Sequence, residues 1–198
     1  MNKHIGAALL GVLAVCLVTT AQASDPWAPG ATGLSLEAGL TAGGDKLVTI
    51  TDTNGDTKSL YAGNSLFTDV GVQHNFGDSG WSLRATGGFA ADAQSYSNAN
   101  VSFAYVPVNV LGIYSVGNNH FGAGLAVHLS PKLDLDGLGP NADFKTATGL
   151  VLQYQYWLFG VRYTAIRYQI SSVNNVPGCF GKCDYDGSSI GVFFNYVF

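Results

Sequence analysis

A few groups of side chains in this sequence have types and spacings that could do chemistry. In "AVHLSPKLDLDGLGPNAD", His128 stands two residues before Ser130, with Asp143 further on. A serine beside a histidine base, oriented by a carboxylate, is a workable hydrolase arrangement. In "DTNGDTK", Asp52, Asn54 and Asp56 alternate like the first ligands of a calcium loop, but no closing bidentate glutamate follows. An exposed hairpin tip is the plainer reading. Cys179 and Cys183 in "CFGKC" are two thiols where a zinc site needs four ligands. No metal and no cofactor is expected. The last group is Glu37, Asp69, Arg84 and Arg162, charges spread along a chain that is only 11% charged.

What those groups can do depends on the elements that carry them. The chain opens "MNKHIGAALLGVLAVCLVTTAQASD", with a positive charge at Lys3, an apolar run from Ile5 to Val18 and the small-residue motif Ala21-Gln22-Ala23. That pattern predicts a secretory signal peptide over 1–23 and a mature domain over 24–198. The apolar run is shorter than the roughly 20 residues a membrane helix needs. Cys16 follows Leu13-Ala14-Val15, but Val15 is bulky where lipoprotein signals resemble one another in carrying a small residue. Export carries Cys179 and Cys183 to an oxidising compartment, where two cysteines in one loop form a disulfide.

Composition excludes several classes. With 26 glycines, 10 tyrosines, 11 phenylalanines, 47% hydrophobic residues and a net charge of −4, the chain has no basic footprint for nucleic acid. Outside the signal, no stretch is long and apolar enough for a membrane helix. A Gly-rich, aromatic, charge-poor chain of this kind suits an outer-membrane barrel, in which lipid-facing and lumen-facing residues alternate.

Period-two alternation predicts eight strands: 32–42, 64–76, 81–90, 101–116, 120–129, 144–156, 159–171 and 187–198. Pro107, in the middle of the fourth, is expected to bring a bulge or a change of face. Connections alternate long and short, with long ones at 43–63, 91–100, 130–143 and 172–186; the first contains Asn54-Gly55, a strong hairpin-turn signal. The fold class is therefore all-β, an eight-stranded antiparallel up-and-down transmembrane barrel, with short turns in the periplasm and long loops outside. By parity Glu37, Asp69, Arg84 and Arg162 face the lumen with Gln73, Asn75, Gln153, Gln155 and Phe193. Buried charges must be paired, so they are expected to form an ion-pair network that plugs the lumen, the alternative being a narrow ion-conducting gate. His128 is placed in the lumen near the extracellular rim, and Leu125 on the lipid face.

The closing strand "SIGVFFNYVF" resembles those of bacterial outer-membrane barrels, which typically end in an aromatic residue read by the barrel-assembly machinery. The resemblance gives Phe194, Tyr196 and Phe198 the role of an assembly signal. The whole mature chain is similar to the small eight-stranded families, the OmpA-like transmembrane barrel and the OmpX-like proteins, with "GAGLAVHLSP" and "GVRYTAIRY" reading like strands of that group. OmpA itself carries a soluble peptidoglycan-binding domain after its barrel; this chain stops at the barrel, so that anchoring function is not expected. The His-x-Ser spacing also resembles the outer-membrane lipid A deacylase family. There an asparagine follows the serine, whereas Pro131 follows it here, and a lumen-facing His128 is badly placed for a lipid substrate. The expectation is a monomeric, non-enzymatic barrel with an envelope or surface-binding role, whose partners are outer-membrane lipid, lipopolysaccharide and, during biogenesis, the assembly machinery.

Overall fold

A computed structural model of the chain describes residues 28–51, 55, 57–95, 100–136, 139–174, 176–179 and 181–198. The expected signal peptide, Cys16 and the Asp52, Asn54, Asp56 triplet lie outside these residues. The strands are β1 (Thr32–Gly43), β2 (Lys46–Thr51), β3 (Thr57–Tyr61), β4 (Ser65–Asn75), β5 (Trp81–Ser95), β6 (Asn100–Val116), β7 (Asn119–Asp134), β8 (Ala142–Phe144), β9 (Ala147–Tyr156), β10 (Phe159–Val173), β11 (Val176–Pro177), β12 (Asp184–Asp186) and β13 (Ser189–Val197). Eight of them, β1, β4, β5, β6, β7, β9, β10 and β13, pair antiparallel in a ring that β13 closes onto β1. Closure leaves no open sheet edge, the condition for a sheet to stand in hydrocarbon.

The register fixes the shape. Gly33 faces Gln73, and the ladder continues through Arg84, Leu111, Gly124, Val151, Thr164 and Ser189 to Gly43. One circuit therefore climbs ten residues along β1 (43 − 33 = 10). A climb of ten residues at about 3.3 Å around eight strands about 4.8 Å apart sets a strand tilt of about 40°. From Ile190 to Phe198 the closing strand rises about 20 Å at that tilt, close to the apolar height of an outer-membrane barrel.

Alternation sorts the two faces. Leu34, Leu36, Leu40, Val70, Val72, Leu125, Leu150, Leu152, Ile190 and Val192 are exposed on the outer wall, while Ser35, Glu37, Asp69, Gln73 and Asn195 are buried inside. Most outward aromatics gather at the short-turn end, where Trp81 packs on Tyr114, Phe121 on Tyr154, Phe159 on Phe194 and Tyr196 on Phe198. This is one interfacial aromatic girdle. The turns beneath it are tight. Gly117 takes φ 58 between β6 and β7, and Trp157 takes φ 55 between β9 and β10; short hairpin loops need such positive φ values.

Two expectations need correction. Pro107 causes no change of face: Val101, Phe103, Tyr105, Pro107, Asn109, Leu111 and Ile113 are all buried in unbroken alternation. The bulge lies across the ladder, on β7. Val106 faces Leu129 while Ala104 faces Lys132, so three steps on β7 match two on β6. The extra residue is accommodated at Ser130, whose φ is 48, because β7 can bend there without breaking the inward run on β6.

The second concerns the long connections, which are only partly loops. β5, β6, β7 and β10 extend into the segments 91–100, 130–143 and 172–186, and β2 and β3 form a separate hairpin within 43–63. On β6, β7 and β10 these polar-looking ends continue as strands because inward residues such as Val101, Phe103, Leu133 and Tyr168 bury against one another, and β5 continues by pairing with β6.

Candidate functional site

The lumen has two layers. At mid-depth lies the cluster built from β1, β4, β5 and β10. The Glu37 carboxylate receives Arg162 at 2.6 Å and Arg84 at 3.5 Å, and Arg162 lies 4.0 Å from Asp69. Glu37 and Arg84 are 0% exposed and Arg162 6%, so two carboxylates face two guanidiniums with essentially no water contact. Part of their remaining hydrogen-bonding capacity goes to neutral neighbours, while Asp69 Oδ1 and Arg162 Nε are buried without a hydrogen-bond partner. Arg84 Nε and Nη2 donate to Gln73 Oε1 at 3.0 and 2.9 Å. Arg162 Nη2 donates to Gln153 Oε1 at 2.8 Å, and Asn109 Nδ2 donates to Asp69 Oδ2 at 3.2 Å. Charges removed from water are tolerable only with such pairing.

Arg162 is also held between two rings, 5.4 Å from the centroid of Phe67 and 5.1 Å from that of Phe193. Glycines make the room. A Cβ on Gly39 would come within 2.7 Å of the Phe67 ring, and one on Gly160 would strike Phe193. Parity places Phe193 inside; Phe67 is legible in the same way, as the inward neighbour of Asp69 two residues along, but its role as the second wall of a cation sandwich needs the ring closed.

Above the ions, toward the long loops, the interior is aromatic rather than polar, an apolar layer that the expected ion-pair plug did not include. Phe103 packs against Tyr105, Phe144 and Tyr168 with centroids 5.3–5.8 Å apart. Leu60, Val101, Leu133, Leu135 and Ile166 complete this core, and Leu47, Val48 and Ile50 of the β2–β3 hairpin pack onto it. His128 belongs to this layer. Its ring stacks on Tyr105 at 4.1 Å and its Nδ1 lies 2.6 Å from the Tyr168 hydroxyl. It therefore sits beneath an aromatic layer, not at the rim. Between the two layers a cavity of about 30 Å³ touches Asp69, Tyr105, Asn109, His128 and Arg162, which is room for about one water molecule.

The hydrolase arrangement is not assembled. His128 points inward, Ser130 is exposed at the bulge, and Asp143 accepts a hydrogen bond from Ser172 Oγ at 2.9 Å. His128 takes Tyr168 rather than a carboxylate as its partner.

At the long-loop end, Cys179 and Cys183 are joined in a disulfide. The segment they staple is tied to the start of the β2–β3 hairpin. Asp45 Oδ2 accepts from Lys182 Nζ and from the Asp186 amide, each at 2.7 Å, and the Asp45 amide donates to the Asp186 carbonyl at 2.6 Å. Lys182 first, and the Asp186 amide next, hold the Asp45 carboxyl below its ordinary range. These contacts bridge the first and last connections over the seam where β13 meets β1. At the other end of that seam, Phe198 donates its amide to Leu34 at 2.8 Å, while Phe198 and Tyr196 lie exposed on the outer wall.

A closed ring with an apolar outer wall, an aromatic girdle and a polar mid-lumen defines a small eight-stranded transmembrane β-barrel of the outer-membrane type. No known protein family matches the sequence, and no curated protein matches it. Among solved structures it is similar to the Neisserial surface protein A, at 9% identity and TM-score 0.41, covering 82% of this chain and 96% of that one. It is also similar to Ail, the attachment invasion locus protein of Yersinia pestis, at 11% identity and TM-score 0.41, covering 85% and 99%. A third is the outer membrane protein AlkL, at 13% identity and TM-score 0.36, covering 100% and 97%. With these scores below 0.5, the barrel assignment rests on the closed ladder and its lipid-facing wall.

Proposed function

We propose that this protein is exported by its N-terminal signal, cleaved after residue 23, and acts in the outer membrane as a closed, monomeric barrel. Its role is in the envelope or in surface binding, exercised through its outer wall and long loops rather than through its lumen. One observation carries the reading: an ion cluster at mid-depth and an aromatic core above it are stacked across the lumen, with a cavity of about 30 Å³ between them. Eight-stranded barrels have interiors that side chains can fill. The disulfide and the Asp45–Lys182 tether support the same reading, since they order the loop end as a display surface.

The test is conductance. Purified barrel in a planar bilayer should show no unitary current in concentrated salt, and a strain lacking the gene should become more permeable to bile salts or large apolar dyes. Steady unitary conductance from the wild-type barrel would favour the ion-pore reading instead. In the same proposal Phe194, Tyr196 and Phe198 are the signal read by the assembly machinery. Deleting Phe198 should lower the amount of heat-modifiable protein in the outer membrane; an unchanged amount would remove that role.

A further inference from the structure

The chain carries nine lysines and arginines. Arg84 and Arg162 are inside, and Lys182 is paired with Asp45. Lys132, Lys145 and Arg167 instead stand exposed on the outer wall, on the course of β7, β8 and β10. Among the described residues, no carboxylate lies within ion-pair distance of any of the three.

The register brings them to one depth. Lys132 faces Asp143 across β7 and β8, and Lys145 lies two residues nearer the membrane. The Lys145 amide donates to the Gln169 carbonyl at 2.8 Å, and Arg167 lies two residues nearer the membrane than Gln169. The ladder climbs ten residues per circuit of eight strands, a little over one residue per strand, in the direction from β7 to β10. Two residues back at each strand nearly cancels that climb. The three cations therefore fall within about 4 Å of one height, spaced about 6 Å apart around the wall.

That height is just beyond the last outward apolar residues, Leu129, Leu150 and Tyr163. Just before β4, and on β5 and β6, the outward positions near this height are uncharged: Asn64, Ala93 and Ala104. Acids border the row: Asp143 faces Lys132, Asp184 faces Gln169, and Asp186 faces Arg167, whose charge it feels. Asp143 accepts from Ser172, and Asp186, which faces Arg167, accepts from the Ser188 amide at 2.9 Å. Lys145 Nζ is steadied by Gln169 Oε1 at 2.8 Å, which leaves ammonium protons directed outward.

A row of exposed cations at the upper edge of the apolar wall, none within ion-pair distance of a carboxylate among the described residues, fits an anion held at a fixed depth, with acyl chains beneath it. Guanidinium and ammonium groups bind phosphoryl oxygens by charge-assisted hydrogen bonds, arginine with the added geometry of its fork. We propose that Lys132, Lys145 and Arg167 form a phosphate-binding row that seats one phosphorylated glycolipid of the outer leaflet against β7, β8 and β10. The site rests on the reading that the long loops face the cell exterior.

The experiment uses the full barrel in detergent, with lipid A bearing both phosphates and its dephosphorylated form as probes, and native mass spectrometry as readout. The phosphorylated probe should be retained at least tenfold better than the dephosphorylated one. Lys132→Gln with Lys145→Gln and Arg167→Gln should abolish that difference. Lys46→Gln with Lys58→Gln should leave it unchanged, and heat-modifiable migration must show every variant folded. Equal retention of the two probes, or full retention by a folded triple variant, would overturn the site. Orientation is read separately, by thiol labelling of Gly55→Cys in intact cells; lack of labelling would remove the outward reading while leaving binding in detergent untouched.

Discussion

The two layers inside this barrel do the same structural job with opposite chemistry. At mid-depth the space is filled by paired charges, held where the wall is thickest with lipid. Toward the loops it is filled by rings and aliphatic side chains, as in a soluble core. A charge network tolerates little change in its members, because removing one charge leaves its partner buried and unpaired. An aromatic core tolerates change in proportion to volume lost, because its contacts are non-directional. Depth explains the division. Mid-membrane positions alternate strictly between lipid and lumen, and there the charges sit beside the inward apolar patch of Leu111, Ile113 and Val151. Above the hydrocarbon the wall no longer needs an apolar outside, and the interior can be apolar throughout.

That contrast can be broken most directly at Glu37. Glu37→Gln removes almost no volume, yet it leaves Arg84 and Arg162 without their shared carboxylate. It should cost about 3–5 kcal/mol of folding free energy in reconstituted bilayers, measured by denaturant titration of the heat-modifiable form. A loss below about 1 kcal/mol would mean that the ions contribute mainly by filling space. On the outside of the same wall, Leu125→Arg should cost about 2–4 kcal/mol if it faces acyl chains near mid-depth. The same titration measures it, and a neutral result would reverse the inside–outside assignment of β7.

In the aromatic layer the expected effect is smaller. Phe103→Leu keeps the site apolar and most of its volume, and should cost about 1–1.5 kcal/mol; a loss matching that of Glu37→Gln would erase the distinction between the layers. The smallest effect belongs to the loop tether. The Asp45 carboxyl is held below its ordinary value, so its contribution is complete above the ordinary carboxylate range and fades as the pH falls below it. Amide exchange over 182–186 should therefore quicken in acid while exchange in β1 and β13 stays unchanged. Protection that persists at all acid pH values would mean that the disulfide alone orders this segment.

Much of this was legible in the chain. Alternation placed Leu34, Leu36 and Leu40 outside and Ser35 and Glu37 inside on β1, and the same period-two reading located every strand of the ring. It did not disclose that strands run on into the segments at 91–100, 130–143 and 172–186, because a strand that has left the hydrocarbon loses its apolar outer face and looks like a loop. Nor did it show which strand would carry the bulge expected near Pro107. Pro107 is the conspicuous residue, but the misfit was taken up by the neighbouring strand at Ser130, and only pairing shows which partner yields.

By itself the sequence determined the class of fold, the faces of its strands and the set of charges sent inward, since each follows from the two-residue period and from the cost of placing a charge in lipid. The tertiary structure decided which inward residues meet. Glu37, Arg84 and Arg162 come from strands far apart in the chain, and parity says only that each points to the axis. Their common depth comes from the ten-residue climb of the ladder, as does the row of Lys132, Lys145 and Arg167 on the wall. That climb is a property of the closed ring. No single strand carries it, because it arises only when β13 pairs with β1.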